Sequence, residues 1–125
     1  MSINENNNLH YQYYLREGKY YMDYPVNMNK PWYHGSPIEI DTLKKGSTIT
    51  QWRDLAIAFS TKPTLLGYEE INGKITHNGK EKGMLYIIGE QILLEIDIYQ
   101  HPKTTMDKGV EFLTKRELKL IRIVE

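Results

Sequence analysis

Several features that the sequence lacks narrow the range of folds and functions. The chain of 125 residues has no cysteine, so neither a disulfide nor a thiolate zinc site holds it together. Its 16 basic and 16 acidic side chains cancel to a formal net charge of zero, so no overall field attracts nucleic acid or an anionic membrane. No apolar run approaches the roughly 20 residues of a membrane span, and the N-terminus does not resemble a signal peptide. We expect one cytoplasmic protein with no membrane association.

The sequence also lacks the motifs of the commonest nucleotide, metal and hydrolase sites. There is no Gly-rich phosphate loop of the Rossmann or Walker type, so a nucleotide has to bind by another geometry. The four histidines, at positions 10, 34, 77 and 101, do not have the spacing of metal ligands, and we expect no metal. No Gly-x-Ser-x-Gly elbow of a serine hydrolase is present.

Hydrophobic patterning predicts an α+β fold with six or more strands and one or two short helices. Residues 1–30 are predicted to form a Tyr-rich N-terminal arm or hairpin, with aromatic strands around a Gly-containing turn. The domain itself is predicted to span 31–125, with a short helix over 64–70 capped by Thr61 and a polar loop over 72–82. Strands are predicted at 31–34, 55–61, 84–88, 92–99, 110–114 and 118–124.

The pairing of the later strands is predicted from their spacing. Strands 84–88 and 92–99 are expected to meet at a tight turn, and strands 110–114 and 118–124 to form a closing hairpin. Both faces of the last strand carry apolar residues, so we expect it to be covered on both sides.

The stretch Trp32-Tyr33-His34-Gly35-Ser36 is the most informative motif. It places one imidazole beside a backbone segment that a planar ligand can approach, because Gly35 has no Cβ. This arrangement predicts part of a nucleotide pocket. The alternative is a strand that ends in an ordinary turn, since Gly-Ser-Pro is common turn chemistry.

The carboxylates give a second candidate. Glu111 lies between Val110 and Phe112 in a predicted strand, where a carboxylate is unusual and costly to bury unpaired. The alternative is a solvent-facing Glu111 opposite Lys115 or Lys119.

Three motifs together resemble the ADP-ribosyltransferase superfamily over residues 31–125. They are His34-Gly35-Ser36, then the run from Ile57 to Thr61 followed by Tyr68, and then Val110-Glu111-Phe112-Leu113. The resemblance is to the diphtheria-toxin-like branch, with its His, Tyr and Glu on separate strands, as in poly-ADP-ribose polymerases and rifamycin ADP-ribosyltransferases. It implies a split β-sheet, with NAD as substrate and nicotinamide as leaving group.

The resemblance also implies residue roles. His34 would hydrogen-bond the adenosine ribose, and the Gly35 backbone would hold the nicotinamide amide. Glu111 would hold the nicotinamide ribose and stabilise its positive charge, which makes Glu111 and His34 the implied catalytic pair. The implied NAD-binding residues are His34, Gly35, Ser36, Phe59, Ser60 and Tyr68.

The sequence departs from the family pattern at one position. Ala58 stands where the family has a Tyr, so Phe59 or Tyr68 would have to supply the stacking ring. Rifamycin-type relatives use an Asp from an earlier loop, which leaves Glu95, Asp97 and Asp107 open as alternatives to Glu111.

The resemblance therefore predicts a NAD-dependent mono-ADP-ribosyltransferase. The acceptor, whether protein, nucleic acid or small molecule, is left open, as is an antitoxin or homodimer partner. One alternative is a catalytically degenerate module on the same fold that binds a nucleotide or a partner. Another is tRNA 2′-phosphotransferase-like chemistry, for which Arg53, Arg116 and Arg122 are the candidate phosphate ligands.

Overall fold

The computed structural model describes residues 26–69 and 74–123, together with the backbone of two N-terminal strands. These strands are β1 (Gln12–Arg16) and β2 (Lys19–Asp23), and they pair antiparallel along their whole length. The predicted N-terminal hairpin is therefore confirmed in its backbone pairing. The Asn-rich start of the predicted arm lies outside the described residues.

The remaining fold contains two larger sheets, and the first of them is four-stranded and antiparallel. Its strands lie in the order β3 (Tyr33–Ser36), β8 (Met84–Ile88), β11 (Leu118–Ile123) and β4 (Thr42–Leu43). In the register, His34 lies opposite Tyr86 and Leu120 lies opposite Ile88. Strand β8 has the bounds that the sequence predicted.

The second sheet is three-stranded and antiparallel. Its strands lie in the order β9 (Ile98–Gln100), β10 (Phe112–Thr114) and β5 (Thr48–Ile49). Buried side chains from both sheets pack into one core cluster, since burying apolar area is the main source of stability. Its members are Trp32, Leu43, Ile49, Ile88, Ile92, Ile98, Phe112 and Leu118.

The edges of the two sheets meet at a backbone bridge. Tyr33 and Thr50 exchange both backbone hydrogen bonds, with N···O distances of 2.7 and 3.0 Å. Beyond this pair β3 and β5 separate, because β5 continues into the three-stranded sheet. The predicted α+β class is confirmed, since strands predominate and the described residues contain a single α-helix.

That helix, α1 (Arg53–Ser60), occupies the segment predicted as a buried strand, so the prediction of a strand at 55–61 is wrong. A seven-residue apolar run is compatible with either element. Here the alanines favour the helix, because Ala has the highest helix propensity and little bulk. Ala56 and Ala58 are buried, and α1 lies against β3. Within the described residues, no helix is long and apolar enough to cross a membrane.

The helix predicted over 64–70 is absent, and that prediction is also wrong. The segment contains β6 (Leu66–Tyr68), which pairs antiparallel with β7 (Ile75–His77) inside the predicted polar loop. The Asn78 side chain fixes the approach to β6, because its Oδ1 accepts the backbone N–H groups of Thr64 and Leu65 at 3.0 and 2.8 Å. These bonds keep the first residues after Pro63 in a turn and out of a helix.

The predicted turn between strands 84–88 and 92–99 is also wrong, because residues 92–97 mostly form a compact loop. Asp97 holds this loop. Its Oδ2 accepts the Leu93 N–H at 2.9 Å, and its own N–H bonds the Leu93 carbonyl at 2.8 Å. Glu95 has a φ of 70° there, which a strand does not allow.

The closing hairpin is wrong as well, because β10 and β11 belong to different sheets. Between them Arg116 leaves the sheet to bond Asp97 at 2.8 Å and Glu90 at 2.9 Å. Strand β11 is not covered on both sides either, since Ile121 is 58% exposed. Its apolar outer face was not a sign of burial.

Candidate functional site

A pocket of about 180 Å³ lies where the two sheets separate. Residues from distant segments of the chain line it, since the fold brings β3, β5, α1 and the residue before β10 together. Its lining comprises Tyr33, His34, Gly35, Thr48, Thr50, Ala56, Phe59 and Glu111. Four residues predicted from the sequence, at positions 34, 35, 59 and 111, therefore meet in one place.

Where β3 and β5 separate, the backbone N–H and C=O of Gly35 face the gap between the two strands. The Trp32 carbonyl accepts from the Ile88 N–H at 2.9 Å, so alternation along β3 points the Gly35 N–H and C=O away from β8. They face the side on which Tyr33 pairs with Thr50. The pairing with β5 does not continue there among the described residues, so Gly35 offers a donor and an acceptor at the strand edge.

The missing side chain of Gly35 has a role in packing as well. A Cβ at this position would lie 1.8 Å from the Ala56 carbonyl oxygen. The glycine therefore allows α1 to lie directly on β3. This close contact places Ala56 and Phe59 in the wall of the pocket.

His34 is tied to the second sheet. Its Nδ1 lies 2.7 Å from the Thr48 carbonyl oxygen, and because a carbonyl only accepts, Nδ1 carries the hydrogen. In the neutral ring Nε2 is then an acceptor. Burial lowers the pKa of His34 below its ordinary value, and the hydrogen bond to Thr48 opposes this only in part. The site thus holds a neutral imidazole.

Glu111 supplies the carboxylate of the pocket. It lies between the buried residues Val110 and Phe112 and is itself half-buried, so the alternative of a fully solvent-facing Glu is wrong. The Thr104 hydroxyl donates a hydrogen bond to its Oε1. No other acidic side chain is among the residues that line the pocket.

Aromatic rings form another part of the wall. Phe59 and Ala56 are three residues apart on α1, so both face the pocket. Tyr33 contributes a second ring from β3. Ala58, which replaces the Tyr of the family pattern, is buried in the helix and does not line the pocket.

Three residues implied as NAD-binding are not among the residues that line the pocket. The Ser36 hydroxyl donates to the Ile38 carbonyl at 2.7 Å, and the Ser60 hydroxyl donates to the Ile57 carbonyl at 2.5 Å. Tyr68 is on β6, where its hydroxyl donates to Asp107 at 2.6 Å. Its ring stacks edge-on against Trp52, with the centroids 4.9 Å apart.

The other candidate carboxylates lie outside the pocket lining. Asp107 is buried and bonded to Tyr68, and Asp97 is bonded to Arg116. Glu95 is exposed on the 92–97 loop. The pocket lining does not include Arg53, Arg116 or Arg122. The phosphotransferase alternative therefore lacks its candidate phosphate ligands at this pocket.

Sequence reasoning missed Tyr33, Thr48, Thr50 and Thr104. Tyr33 had a usable signal, because it precedes His34 by one residue in the motif that was singled out. The threonines had none, because a Thr in a short strand or loop carries no pattern that distinguishes a site from a turn.

Comparisons with family models, with curated proteins and with solved structures found no match for this chain.

Proposed function

We propose that the protein is a NAD-dependent mono-ADP-ribosyltransferase that releases nicotinamide. The observation that carries the proposal is the meeting of His34, the Gly35 backbone edge and Glu111 in one pocket. His34 and Gly35 are adjacent in β3, whereas Glu111 comes from a distant part of the sequence. Together they supply an acceptor, a peptide edge and a carboxylate. A nicotinamide nucleotide needs this combination of groups.

The Gly35 edge matches the carboxamide of nicotinamide. The N–H of Gly35 donates to the amide oxygen, and its C=O accepts from the amide N–H₂, which gives a two-point contact specific for a primary amide. Tyr33 and Phe59 offer ring surface to the flat pyridinium. Nε2 of His34 accepts a hydrogen bond from a ribose hydroxyl, while Nδ1 donates to the Thr48 carbonyl.

The size of the pocket decides which end of NAD it takes. At about 180 Å³ it is smaller than the roughly 300–1,000 Å³ of sites that enclose drug-sized ligands. The nicotinamide end fills it, and the adenine ring lies outside it.

Glu111 acts on the bond that breaks. The bond between ribose C1′ and the nicotinamide nitrogen breaks, and its electron pair leaves with nicotinamide, which becomes neutral. Positive charge develops on the ribose, and the carboxylate stabilises it. A nucleophile on the acceptor then forms a bond to C1′ and loses a proton. With water as the acceptor, the same step is NAD hydrolysis.

A second candidate is a binding module on the same architecture that has lost catalysis. The observation in its favour is Ala58, which leaves α1 without the Tyr of the family pattern. Such a module binds NAD or a related nucleotide and releases no nicotinamide.

The deciding experiment measures nicotinamide release from NAD, with NAD binding followed by calorimetry. Glu111→Gln is compared with Glu95→Gln, a matched change of an exposed carboxylate outside the pocket. We expect Glu111→Gln to lower kcat by about 100-fold or more and Glu95→Gln to leave it unchanged. His34→Ala is expected to weaken NAD binding. Full turnover by Glu111→Gln would overturn the role of Glu111, and binding without release would favour the second candidate.

A further inference from the structure

The side chain of Glu111 is held by a buried hydroxyl that no sequence pattern indicates. Thr104 is seven residues earlier, in the loop between β9 and β10, and its side chain is 7% exposed. Its Oγ1 donates to Glu111 Oε1. Because the Thr104 hydroxyl is shielded from water, this hydrogen bond constrains the carboxylate more than one between two exposed groups would.

The direction of this hydrogen bond is fixed. The Met106 backbone N–H donates to Thr104 Oγ1 at 3.0 Å, and a hydroxyl has a single hydrogen to give. That hydrogen goes to Glu111. Thr104 occupies one acceptor site of Oε1, so Oε2 keeps its full accepting capacity for a ligand in the pocket.

The loop that carries Thr104 is itself anchored at several points. Tyr68 Oη donates to Asp107 Oδ2 at 2.6 Å and accepts from the Asp107 N–H at 3.0 Å. The Gln100 side chain accepts the Gly109 N–H at 2.9 Å, and the Glu111 carbonyl accepts the His101 N–H at 3.0 Å. Both ends of the loop are thus fixed to the sheet, so Thr104 is held in a defined place relative to Glu111.

We propose that Thr104 is a positioning residue for Glu111, which turns one carboxylate oxygen toward the reacting ribose by binding the other. This inference rests on the proposed function, since it assigns Thr104 a part in the same reaction. Misplacement of a reacting group by about 1 Å costs about 100-fold in rate, so loss of this contact acts on kcat. It does not act on NAD binding, because Thr104 does not line the pocket.

The test compares Thr104→Val, which removes the hydroxyl at nearly constant shape, with Thr104→Ser, which retains it. Thr105→Val is the matched control, because Thr105 is adjacent and exposed. Nicotinamide release gives kcat and KM, calorimetry gives the Kd for NAD, and thermal unfolding reports the fold. The ¹³C signal of the Glu111 carboxyl carbon, recorded in H₂O and D₂O, reports the hydrogen bond in the unmodified protein.

We expect Thr104→Val to lower kcat by about 10- to 100-fold with the Kd for NAD within about twofold, while Thr104→Ser and Thr105→Val stay near wild type. Wild-type kcat in Thr104→Val would overturn the proposal. If that variant does not fold, the wild-type isotope shift decides, and its absence overturns the contact. If wild-type protein releases no nicotinamide, the proposed function fails, and the catalytic role of Thr104 fails with it. The ¹³C signal then shows separately whether the contact between Thr104 and Glu111 exists.

Discussion

The imidazole of His34 takes the place of a strand-to-strand hydrogen bond at Thr48. After the Tyr33–Thr50 pair, the next paired residues in an antiparallel ladder would be Gly35 and Thr48. Instead, the Thr48 carbonyl accepts from His34 Nδ1 at 2.7 Å. The side chain thus satisfies the carbonyl where the two sheets separate, and the Gly35 backbone groups stay available at the pocket.

The burial of His34 makes it sensitive to acid in a defined direction. Burial lowers the pKa of His34, so its stabilising contribution is present above the ordinary value of about 6.5 and is lost as the pH falls toward the lower folded value. Protonation also removes the Nε2 acceptor, so NAD binding should weaken over the same range. An NMR titration of the ring, assigned with His34→Ala, tests this. A midpoint above 6.5 would contradict it.

The close contact between β3 and α1 predicts a large cost for a single methyl group. Gly35→Ala places a Cβ 1.8 Å from the Ala56 carbonyl oxygen, so α1 has to move or the strand has to bend. We expect a loss of about 1–3 kcal/mol or more in the free energy of unfolding. Gly67→Ala is the control, because its nearest neighbour would be 3.9 Å away. Equal urea midpoints for the two variants would show that the helix does not lie this close.

The cluster of Asp97, Glu90 and Arg116 predicts acid sensitivity of the fold. Arg116, followed by the Leu93 N–H, lowers the pKa of Asp97. The Lys119 N–H, followed by Arg116, lowers the pKa of Glu90. Their contribution is present above the ordinary carboxyl value of about 4 and is lost as the pH falls below it.

Asp97→Asn tests this cluster. We expect the variant to be less stable than wild type at pH 7 and to lose less stability on acidification, as measured by urea unfolding at several pH values. Asp41→Asn, at an exposed position, is the control. Parallel pH profiles for wild type and Asp97→Asn would rule out this role.

The Tyr68–Asp107 pair predicts that one hydroxyl stabilises the loop before Glu111. Tyr68→Phe keeps the ring against Trp52 but removes both hydrogen bonds to the buried Asp107. We expect a loss of about 1–3 kcal/mol in the free energy of unfolding, with faster amide exchange in the 104–111 segment. Tyr99→Phe keeps the ring that faces Lys115 and is the matched control. An unchanged exchange rate in Tyr68→Phe would refute the anchoring role.

The sequence by itself determined the α+β class, the N-terminal hairpin and strand β8, because strand-length runs of aromatic and branched residues carry those features locally. It also led to His34 and Gly35 through their shared motif, to Glu111 as a carboxylate between apolar residues, and to Phe59 through the family resemblance. Those signals lie within a few residues of chain.

Tertiary structure decided the rest. Residues 55–60 are helical although a short apolar run does not specify which element it forms, and the helix packs on β3 at Gly35. Strands β10 and β11 enter different sheets, and between them Arg116 is held by carboxylates 19 and 26 positions earlier in the chain. Thr104 and Thr48 acquire their roles only when the fold brings a hydroxyl to Glu111 and a carbonyl to His34. Such contacts between distant segments leave no local pattern, so they could be found only in the folded chain.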